Sequence, residues 1–233
     1  MQRFYLKRDF PDSFTISDEG MVHQLTRVLR SKIGDQVIFF NGDGSEYFVE
    51  IVHLEKKSIS FELKNRFFPQ TEPAIEISLY QSLPNKLEKI EYILQKGIEI
   101  GIRRFFFFRS DRSQKLPISE SKVHRLNEIS RESVEQCGGV LFPEIFFLDS
   151  FSEVIQKNNI GVHLTLDTTG ESLGISSIQK AQNIGIWVGP EGGWSESEKI
   201  KMREYDFIFA RFGTRVMRTE TAGGMIAFSL LYK

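Results

Sequence analysis

From Ala74 onward, short apolar runs alternate with longer segments in which apolar residues recur every three or four positions. The short runs predict β-strands at residues 75–79, 105–108, 144–147, 162–166, 184–188 and 207–210. In residues 85–100, Leu87, Ile90, Leu94 and Ile98 share one face of a predicted helix that ends at Gly101. This alternation predicts an α/β fold, with a mostly parallel sheet that is covered by helices on both faces.

The first 70 residues show a different, strand-rich pattern. Residues 36–40 and 46–52 flank Asn41-Gly42 and Asp43-Gly44, pairs that supply the positive φ of a tight hairpin. Residues 58–63 predict another strand. Residues 21–29 predict an amphipathic helix whose apolar face carries Met21, Val22, Leu25, Val28 and Leu29. We therefore predict a small barrel-like domain at residues 1–70, a proline-containing linker at 67–73, and an α/β domain at 74–233.

The bulk composition limits the classes of protein that fit. The 233 residues carry a formal net charge of -1, so no overall field draws the chain onto nucleic acid or membrane, and any basic site must be local. The single cysteine, Cys137, excludes an internal disulfide and suits a reducing compartment. No apolar run approaches the roughly 20 residues of a membrane span, and charges stand in the first residues where a signal peptide needs an apolar core. We expect a cytoplasmic protein with no membrane partner.

Two motifs near the C-terminus carry the most specific chemical signal. The first is Gly189-Pro190-Glu191-Gly192-Gly193, and the second runs from Phe212 through Arg215, Arg218 and Glu220 to Ala222. Each follows a predicted strand and leads into a predicted helix, and Ser195 and Glu198 fit a capping box at the start of the helix after the first motif. Both loops can therefore present main-chain groups to a ligand. Spacing alone leaves two alternatives open for the first loop, a simple strand-to-helix turn or a cofactor loop. The second motif equally fits a ligand site or a tightly packed terminal helix at a subunit interface.

Basic residues cluster in two places. Residues 103–131 contain more basic than acidic residues, the basic ones being Arg103, Arg104, Arg109, Arg112, Lys115, Lys122, Arg125 and Arg131. A second group in the first domain comprises Arg27, Arg30 and Lys32, with Arg3 nearby if the strand folds back. A run of charge is ordinarily a solvated face, but two local patches on a nearly neutral protein also suit a phosphate backbone. The histidines show no metal-ligand spacing, so no metal is expected.

With these motifs in view, the chain resembles the RsmE family of ribosomal RNA methyltransferases, in the SPOUT (trefoil-knot) superfamily. The resemblance covers nearly the full length. Besides the two loops, it rests on Arg3-Phe4-Tyr5, on His23 and Val28-Leu29-Arg30, on residues 94–101, on Arg112-Ser113 and on Glu135-Gln136-Cys137-Gly138. Three positions depart from the usual family pattern: Gly139 stands where an arginine is common, Leu126 where a tryptophan often follows the helix arginine, and Gly97 where alanine or serine is common.

The resemblance implies a PUA-like β-barrel for RNA, followed by a catalytic domain with a knotted C-terminal segment. It also implies a homodimer, S-adenosylmethionine as methyl donor, and N3 of one uridine in 16S ribosomal RNA, in the small ribosomal subunit, as acceptor. The cofactor would lie among three loops. These are the strand end at Leu166-Asp167-Thr168, the loop of the first motif and the loop of the second motif. Carried onto this sequence, the cofactor-binding residues are Leu166, Gly189, Glu191, Gly193, Phe212, Gly213, Val216, Met217, Arg218, Thr221 and Ala222.

The resemblance further implies which residues face the RNA. Arg112 is the candidate catalytic residue, because a guanidinium stabilises negative charge on the oxygens of a uracil anion; Arg109 is the alternative. The expected RNA-binding residues are Arg3, His23, Arg27, Arg30, Arg109 and Arg112. Two other functions stay open, a non-catalytic RNA-binding assembly factor with the same fold, and a knotted methyltransferase that acts on transfer RNA or on a protein.

Overall fold

The computed structural model describes residues 1–114, 116–156, 161–172, 178 and 181–232. Contacts divide the chain into two compact units. The first comprises Met1–Glu72 with Val134–Phe142, and the second comprises Pro73–Ser133 with Pro143–Lys233. The predicted domains at 1–70 and 74–233 did not anticipate that residues 134–142 would group with the first unit.

The first unit contains a five-stranded sheet of β1 (Arg3–Tyr5), β2 (Ser13–Ile16), β3 (Gln36–Phe40), β4 (Glu46–Leu54) and β5 (Ile59–Phe67). Its strand order is β1-β3-β4-β5-β2, and all pairs are antiparallel except β1 with β3. Phe4, Phe14, Phe39 and Phe61 pack in its aromatic core. The predicted hairpin between β3 and β4 is confirmed, and Gly42 and Gly44 have φ of 88° and 90°.

The predicted helix at residues 21–29 is present in an altered form. Helix α1 (Glu19–His23) continues as a π-helical turn, Gln24–Val28, in which the amide of Leu29 donates to the carbonyl of Gln24. Met21, Val22 and Leu25 are buried as expected, but Val28 is 63% exposed. The assignment of Val28 to the apolar face is therefore wrong, because the wider π turn rotates it off the stripe that an α-helix would bury.

The second unit is a six-stranded, wholly parallel sheet of β6 (Glu76–Ser82), β7 (Arg104–Phe108), β8 (Glu144–Leu148), β9 (Val162–Ser172), β10 (Asn183–Val188) and β11 (Ile208–Arg211). The order is β11-β9-β10-β6-β7-β8. Every strand predicted after Ala74 is confirmed. The largest difference is at β9, which continues to Ser172 with a shift of register where it pairs with β11.

The helices of the second unit are α2 (Leu87–Ile100), α3 (Glu120–Cys137, whose last residues belong to the first unit), α4 (Phe151–Gln156), α5 (Glu196–Glu204) and α6 (Thr219–Leu231). Gly223 of α6 lies against Leu79, while α4 and α5 contribute Phe151 and Met202 to the cluster around Tyr80. Consecutive residues of a strand point to opposite faces, so helices cover both faces of this sheet, as predicted.

Two glycines of α2 have clear structural causes. The predicted helix end at Gly101 is confirmed, since Gly101 adopts a φ of 99° as the left-handed C-cap. A Cβ on Gly97 would lie 2.6 Å from the ring of Phe105. Gly97 is therefore required by the packing of α2 on β7, because the phenylalanine ring occupies the space that a side chain would take.

Candidate cofactor cavity

A cavity of about 760 Å³ opens at the carboxyl edge of the parallel sheet, where β9, β10 and β11 end or kink. Every predicted cofactor-binding residue except Thr221 lines it. These are Leu166, Gly189, Glu191, Gly193, Phe212, Gly213, Val216, Met217, Arg218 and Ala222. Thr221 instead lines a smaller cavity between α2 and α6, because one residue along a helix turns the side chain by about 100° from Ala222. The two motifs and the β9 segment thus form one site.

The loop after β10 owes its glycines to two separate causes. A Cβ on Gly189 would lie 3.0 Å from the indole of Trp194, which is buried and donates Nε1 to the carbonyl of Leu166 at 3.2 Å. Gly193 has a φ of 71° and open space around it, and its amide closes a turn onto Pro190. Gly189 thus accommodates the indole, whereas Gly193 provides the left-handed turn before α5.

The start of α5 fixes the position of Arg112. The predicted capping box is confirmed, since the Ser195 hydroxyl and the Glu198 carboxylate accept the amides of Glu198 and Ser195 respectively. Glu198 is buried and also accepts the amide of Asp111 at 3.0 Å. Hydrogen bonds from Ser195 and Ser197 hold the pKa of Asp111 below its usual value. Arg112, the next residue, lines the cavity and donates Nη1 to the carbonyl of Gly192 at 3.1 Å.

The segment at Leu166-Asp167-Thr168 was expected to be the end of a strand, and that boundary is wrong, because β9 continues beyond it. The Asp167 carboxylate accepts the amide and hydroxyl of Thr169 at 2.7 Å and pairs with Lys199 at 2.9 Å. Burial alone would raise the pKa of Asp167, but these hydrogen bonds outweigh burial and lower it. This local turn lets the strand kink at the cavity and then resume pairing with β11.

The second motif is open to solvent at its tip and anchored at its helix. Val216 is 79% exposed. Thr219, the first residue of α6, donates its hydroxyl to the carbonyl of Gly189 at 2.8 Å and accepts from the buried amide of Gln81 at 2.9 Å. The peptide groups of residues 213–217 make no hydrogen bond to the described part of the chain. They are therefore free to bind a ligand in the cavity.

Within the described residues, four of the eight basic residues at 103–131 pair with carboxylates of the second unit. Arg103 and Arg104 pair with Glu144, Arg104 also with Glu76, Arg125 with Glu91, and Arg131 with Glu128. Lys115 lies outside the described residues. Arg109 is exposed, makes no ion pair within the described ranges, and lines a separate cavity of about 290 Å³ with Asp149 and Lys201. Of the two candidate catalytic arginines, Arg112 alone is among the residues found at the main cavity.

The predicted RNA-binding residues of the first unit fall into two groups. His23, Arg27 and Arg30 are exposed on α1 and the turn after it, and Arg30 has a positive φ of 56°. Arg3 is mostly buried. Its guanidinium pairs with Glu46 at 2.7 Å, donates to the carbonyls of Val134, Glu135 and Gly139, and lies over the Phe40 ring. The structure thus gives Arg3 a role in holding residues 134–139 onto the first unit.

Sequence reasoning missed Gln81 and Lys89, which connect the cavity loops to β6 and α2. No local signal marks them, because a glutamine in a strand and one lysine among several on a helix look ordinary. Among the described residues, no cluster of His, Cys, Asp or Glu could hold a metal ion. Likewise, no helix in the described ranges has the length and apolarity needed to cross a membrane.

Fold and site together define an α/β protein with a ligand cavity at the carboxyl edge of a parallel sheet, the place where such sheets bind cofactors. The sequence of residues 71–231 matches the family model of the RNA methyltransferase domain. Residues 22–64 match the family model of the RNA methyltransferase PUA domain. The chain belongs to this family of RNA methyltransferases. The resemblance and the fold class predicted from the motifs are confirmed.

Similar proteins agree over nearly the whole chain. Ribosomal RNA small subunit methyltransferase E of Bacillus subtilis (strain 168) is 31% identical over 95% of this chain and 93% of its own length. The protein of that name from Buchnera aphidicola subsp. Acyrthosiphon pisum is 30% identical, covering 94% and 88%. The crystal structure of the Neisseria gonorrhoeae enzyme of the same name, bound to S-adenosyl methionine, has 25% identity and a TM-score of 0.88, covering 99% and 96%.

Proposed function

We propose that this methyltransferase uses S-adenosylmethionine to methylate N3 of one uridine in 16S ribosomal RNA. Its partner would be the small ribosomal subunit or the RNA of that subunit, and it would act in the cytoplasm. The names of the relatives support ribosomal RNA of the small subunit as substrate. A similar structure carries the cofactor. The observation that carries the proposal is that the β9 segment and both glycine-bearing motifs line one cavity.

The cavity fits an adenine-bearing cofactor on the evidence of its own groups. Its volume of about 760 Å³ lies within the range of small-molecule sites. The unpaired peptide groups of Val216 and Met217 can hydrogen-bond the edge of the adenine, while the apolar side chains of Leu166, Phe212 and Met217 can pack on its faces. Bound there, S-adenosylmethionine would supply an electrophilic methyl group carried on a sulfonium. The trefoil knot of the C-terminal segment stays a prediction from the resemblance.

The residues of the chain would hold the acceptor and stabilise its anion. Uracil N3 normally pairs, so the base must be unpaired or flipped out before it can reach the cavity. N3 also carries a proton, which would pass to solvent water as the N3–methyl bond replaces the N3–H bond and the methyl–sulfur bond breaks. The exposed guanidinium of Arg112, which lines the cavity, donates one N–H to the carbonyl of Gly192 and has further N–H donors. These can bind the uracil oxygens as negative charge develops on them. His23, Arg27 and Arg30, exposed on the first unit, would bind the RNA. Alignment of donor and acceptor would supply the rest of the acceleration.

Two measurements test this function. Calorimetry with S-adenosylmethionine is expected to show binding, and mass mapping of 16S ribosomal RNA from a strain lacking the protein is expected to show the loss of one methyluridine. Absence of heat would favour the non-catalytic RNA-binding factor. Heat together with an unchanged 16S methylation pattern would favour another acceptor.

We also propose that the protein is a homodimer joined through α2 and α6. After its polar first turn, helix α6 is mostly apolar, and its apolar residues are not confined to one face, as expected of a helix that is covered on more than one side. It buries Ile226 and Leu230 but leaves Met225 and Phe228 about half exposed. Tyr92 of α2 and Tyr232 after α6 extend this apolar surface. An exposed patch of this kind usually marks an interface, and a second copy of the same face would cover it.

Phe228→Glu is expected to yield monomers in light scattering, because it places a charge in the apolar surface, whereas the wild type should have twice the mass of one chain. Tyr205→Glu is the control, since Tyr205 is equally exposed but caps α5. A dimer that survives Phe228→Glu, or a wild-type monomer, would reject this interface.

A further inference from the structure

Lys89 on α2 lies between the two motifs of the cavity. Its Nζ is 2.6 Å from Oε1 of Glu191, in the loop after β10, and 3.6 Å from Oε2 of Glu220, in the first turn of α6. We call Lys89, Glu191 and Glu220 the charged bridge. All three residues line the cavity. One lysine on a third element thus joins both loops that would hold the cofactor.

The part of the bridge between Lys89 and Glu220 is shielded from water, which strengthens its electrostatics. The Lys89 and Glu220 side chains are 22% and 15% exposed, whereas that of Glu191 is 39% exposed. The hydrogen bond with Glu191 raises the pKa of Lys89. Burial tends to raise the pKa of Glu191, but the hydrogen bond from Lys89 prevails and lowers it. The lysine is therefore held in its charged form, and it favours the ionised form of the Glu191 carboxylate.

Lys89 forms a hydrogen bond with Glu191 but only a longer-range ion pair with Glu220. Oε2 of Glu220 is buried and has no hydrogen-bond donor among the described residues, because Nζ sits too far away for a hydrogen bond. Arg218 approaches the other oxygen of Glu220 only to 3.9 Å and is itself 86% exposed. Lys89 is thus the main compensation for this carboxylate. Without it, two like charges would remain on facing loops.

A second, uncharged link runs in parallel with the bridge. Gln81 donates to the Thr219 hydroxyl, and Thr219 donates to the carbonyl of Gly189. This link ties the base of the Gly189 loop to the start of α6, whereas the charged bridge acts further out on the same loop. The uncharged link should preserve the fold when the bridge is removed, so that the effect falls on the shape of the cavity.

We propose that Lys89 is a positioning residue, which sets the separation of the two cofactor loops through Glu191 and Glu220 rather than by touching the reacting atoms. This role rests on the proposed use of S-adenosylmethionine. Removing the lysine lets the two carboxylates repel each other and spreads the loops. Affinity for the cofactor is then expected to fall about 10- to 100-fold, the scale for breaking a hydrogen-bonded charge pair.

The test compares variants by calorimetry with S-adenosylmethionine, after thermal melting has shown that each is folded. Lys89→Met should bind at least tenfold more weakly, and Lys89→Arg, which keeps the charge, should bind nearly as the wild type does. The double variant Lys89→Met/Glu220→Gln should regain part of the lost affinity, because it removes the repulsion. Lys86→Met, an exposed lysine at the N-cap of the same helix, is the matched control and should bind normally.

Two further readouts separate positioning from a general loss of structure. Affinity of Lys89→Met for the cofactor should improve as the pH falls towards that at which the Glu191 carboxylate is protonated, because the variant lacks the lysine that lowers the pKa of Glu191. The KM of this variant for the cofactor should rise, while its KM for RNA stays unchanged. If Lys89→Met does not fold, Lys89→Gln takes its place.

The outcomes that overturn the proposal are distinct from failure of the function. Unchanged or tighter binding by Lys89→Met would reject it, and a double variant no better than the single one would show that Lys89 contacts the cofactor directly. A wild-type protein that shows no binding at all would instead reject the proposed use of S-adenosylmethionine.

Discussion

Replacing Arg112 with alanine is expected to lower the rate of methyl transfer by about 100- to 1,000-fold, the usual cost of removing one preorganised donor from a developing anion. Affinity for S-adenosylmethionine should change little. The reason is geometric: Arg112 lies at the mouth of the cavity, and its guanidinium is fixed by the carbonyl of Gly192. Single-turnover transfer to 16S ribosomal RNA, together with calorimetry of the cofactor, measures the two effects separately.

Two companion variants sharpen this test. Arg112→Lys should recover only part of the rate, because a lysine supplies a point charge without the planar fork of donors. Arg109→Ala should act mainly on the KM for RNA, since Arg109 lines the neighbouring cavity. Normal turnover by Arg112→Ala would remove Arg112 from the mechanism, and a loss of cofactor binding would reassign it to the cofactor site.

Replacing Trp187 with alanine is expected to destabilise the protein by about 3–5 kcal/mol, the range for deleting a fully buried aromatic side chain. Trp187 on β10 is completely buried and begins a ladder of stacked rings that crosses neighbouring strands through Tyr80 and Phe106 to Phe146. Its indole also donates to Nδ1 of His163 at 3.0 Å. The melting temperature should fall by roughly 6–20 °C for a chain of this length.

Phe146→Ala, at the other end of the same ladder, is the control. Phe146 lies on the edge strand β8 and is 38% exposed, so less buried area is lost and the cavity left behind opens to solvent. Its melting temperature should drop clearly less than that of Trp187→Ala. Equal losses at both ends would contradict this expectation, because the loss would then not follow the area that each ring buries.

Local patterns predicted much of the architecture. The short apolar runs located each strand of the second unit, the glycine at 101 marked the end of α2, and the serine at 195 marked the start of α5. These features depend on neighbours within a few residues, so a single chain segment contains the necessary information. The two glycine-bearing motifs were equally visible, because turns and helix starts constrain residue type locally.

Other features depend on which distant elements become neighbours. In the second sheet, β10 lies between β9 and β6, although more than 90 residues separate β10 from β6 along the chain. That order alone brings Lys89 to Glu191 and Gln81 to Thr219. The same dependence explains why the basic run at 103–131 finds carboxylates at Glu76, Glu91 and Glu144.

The sequence by itself determined the α/β character, the positions of most strands and the loops that line the cavity, because periodicity, turn chemistry and specific motifs are local properties. The tertiary structure alone decided the π turn that exposes Val28, the continuation of β9, the structural use of Arg3 and the charged bridge. The π turn is a local change in helix hydrogen bonding that leaves no mark on the apolar periodicity. The other three follow from packing and ion pairing between residues far apart in sequence, which contribute free energy only once the strands are ordered.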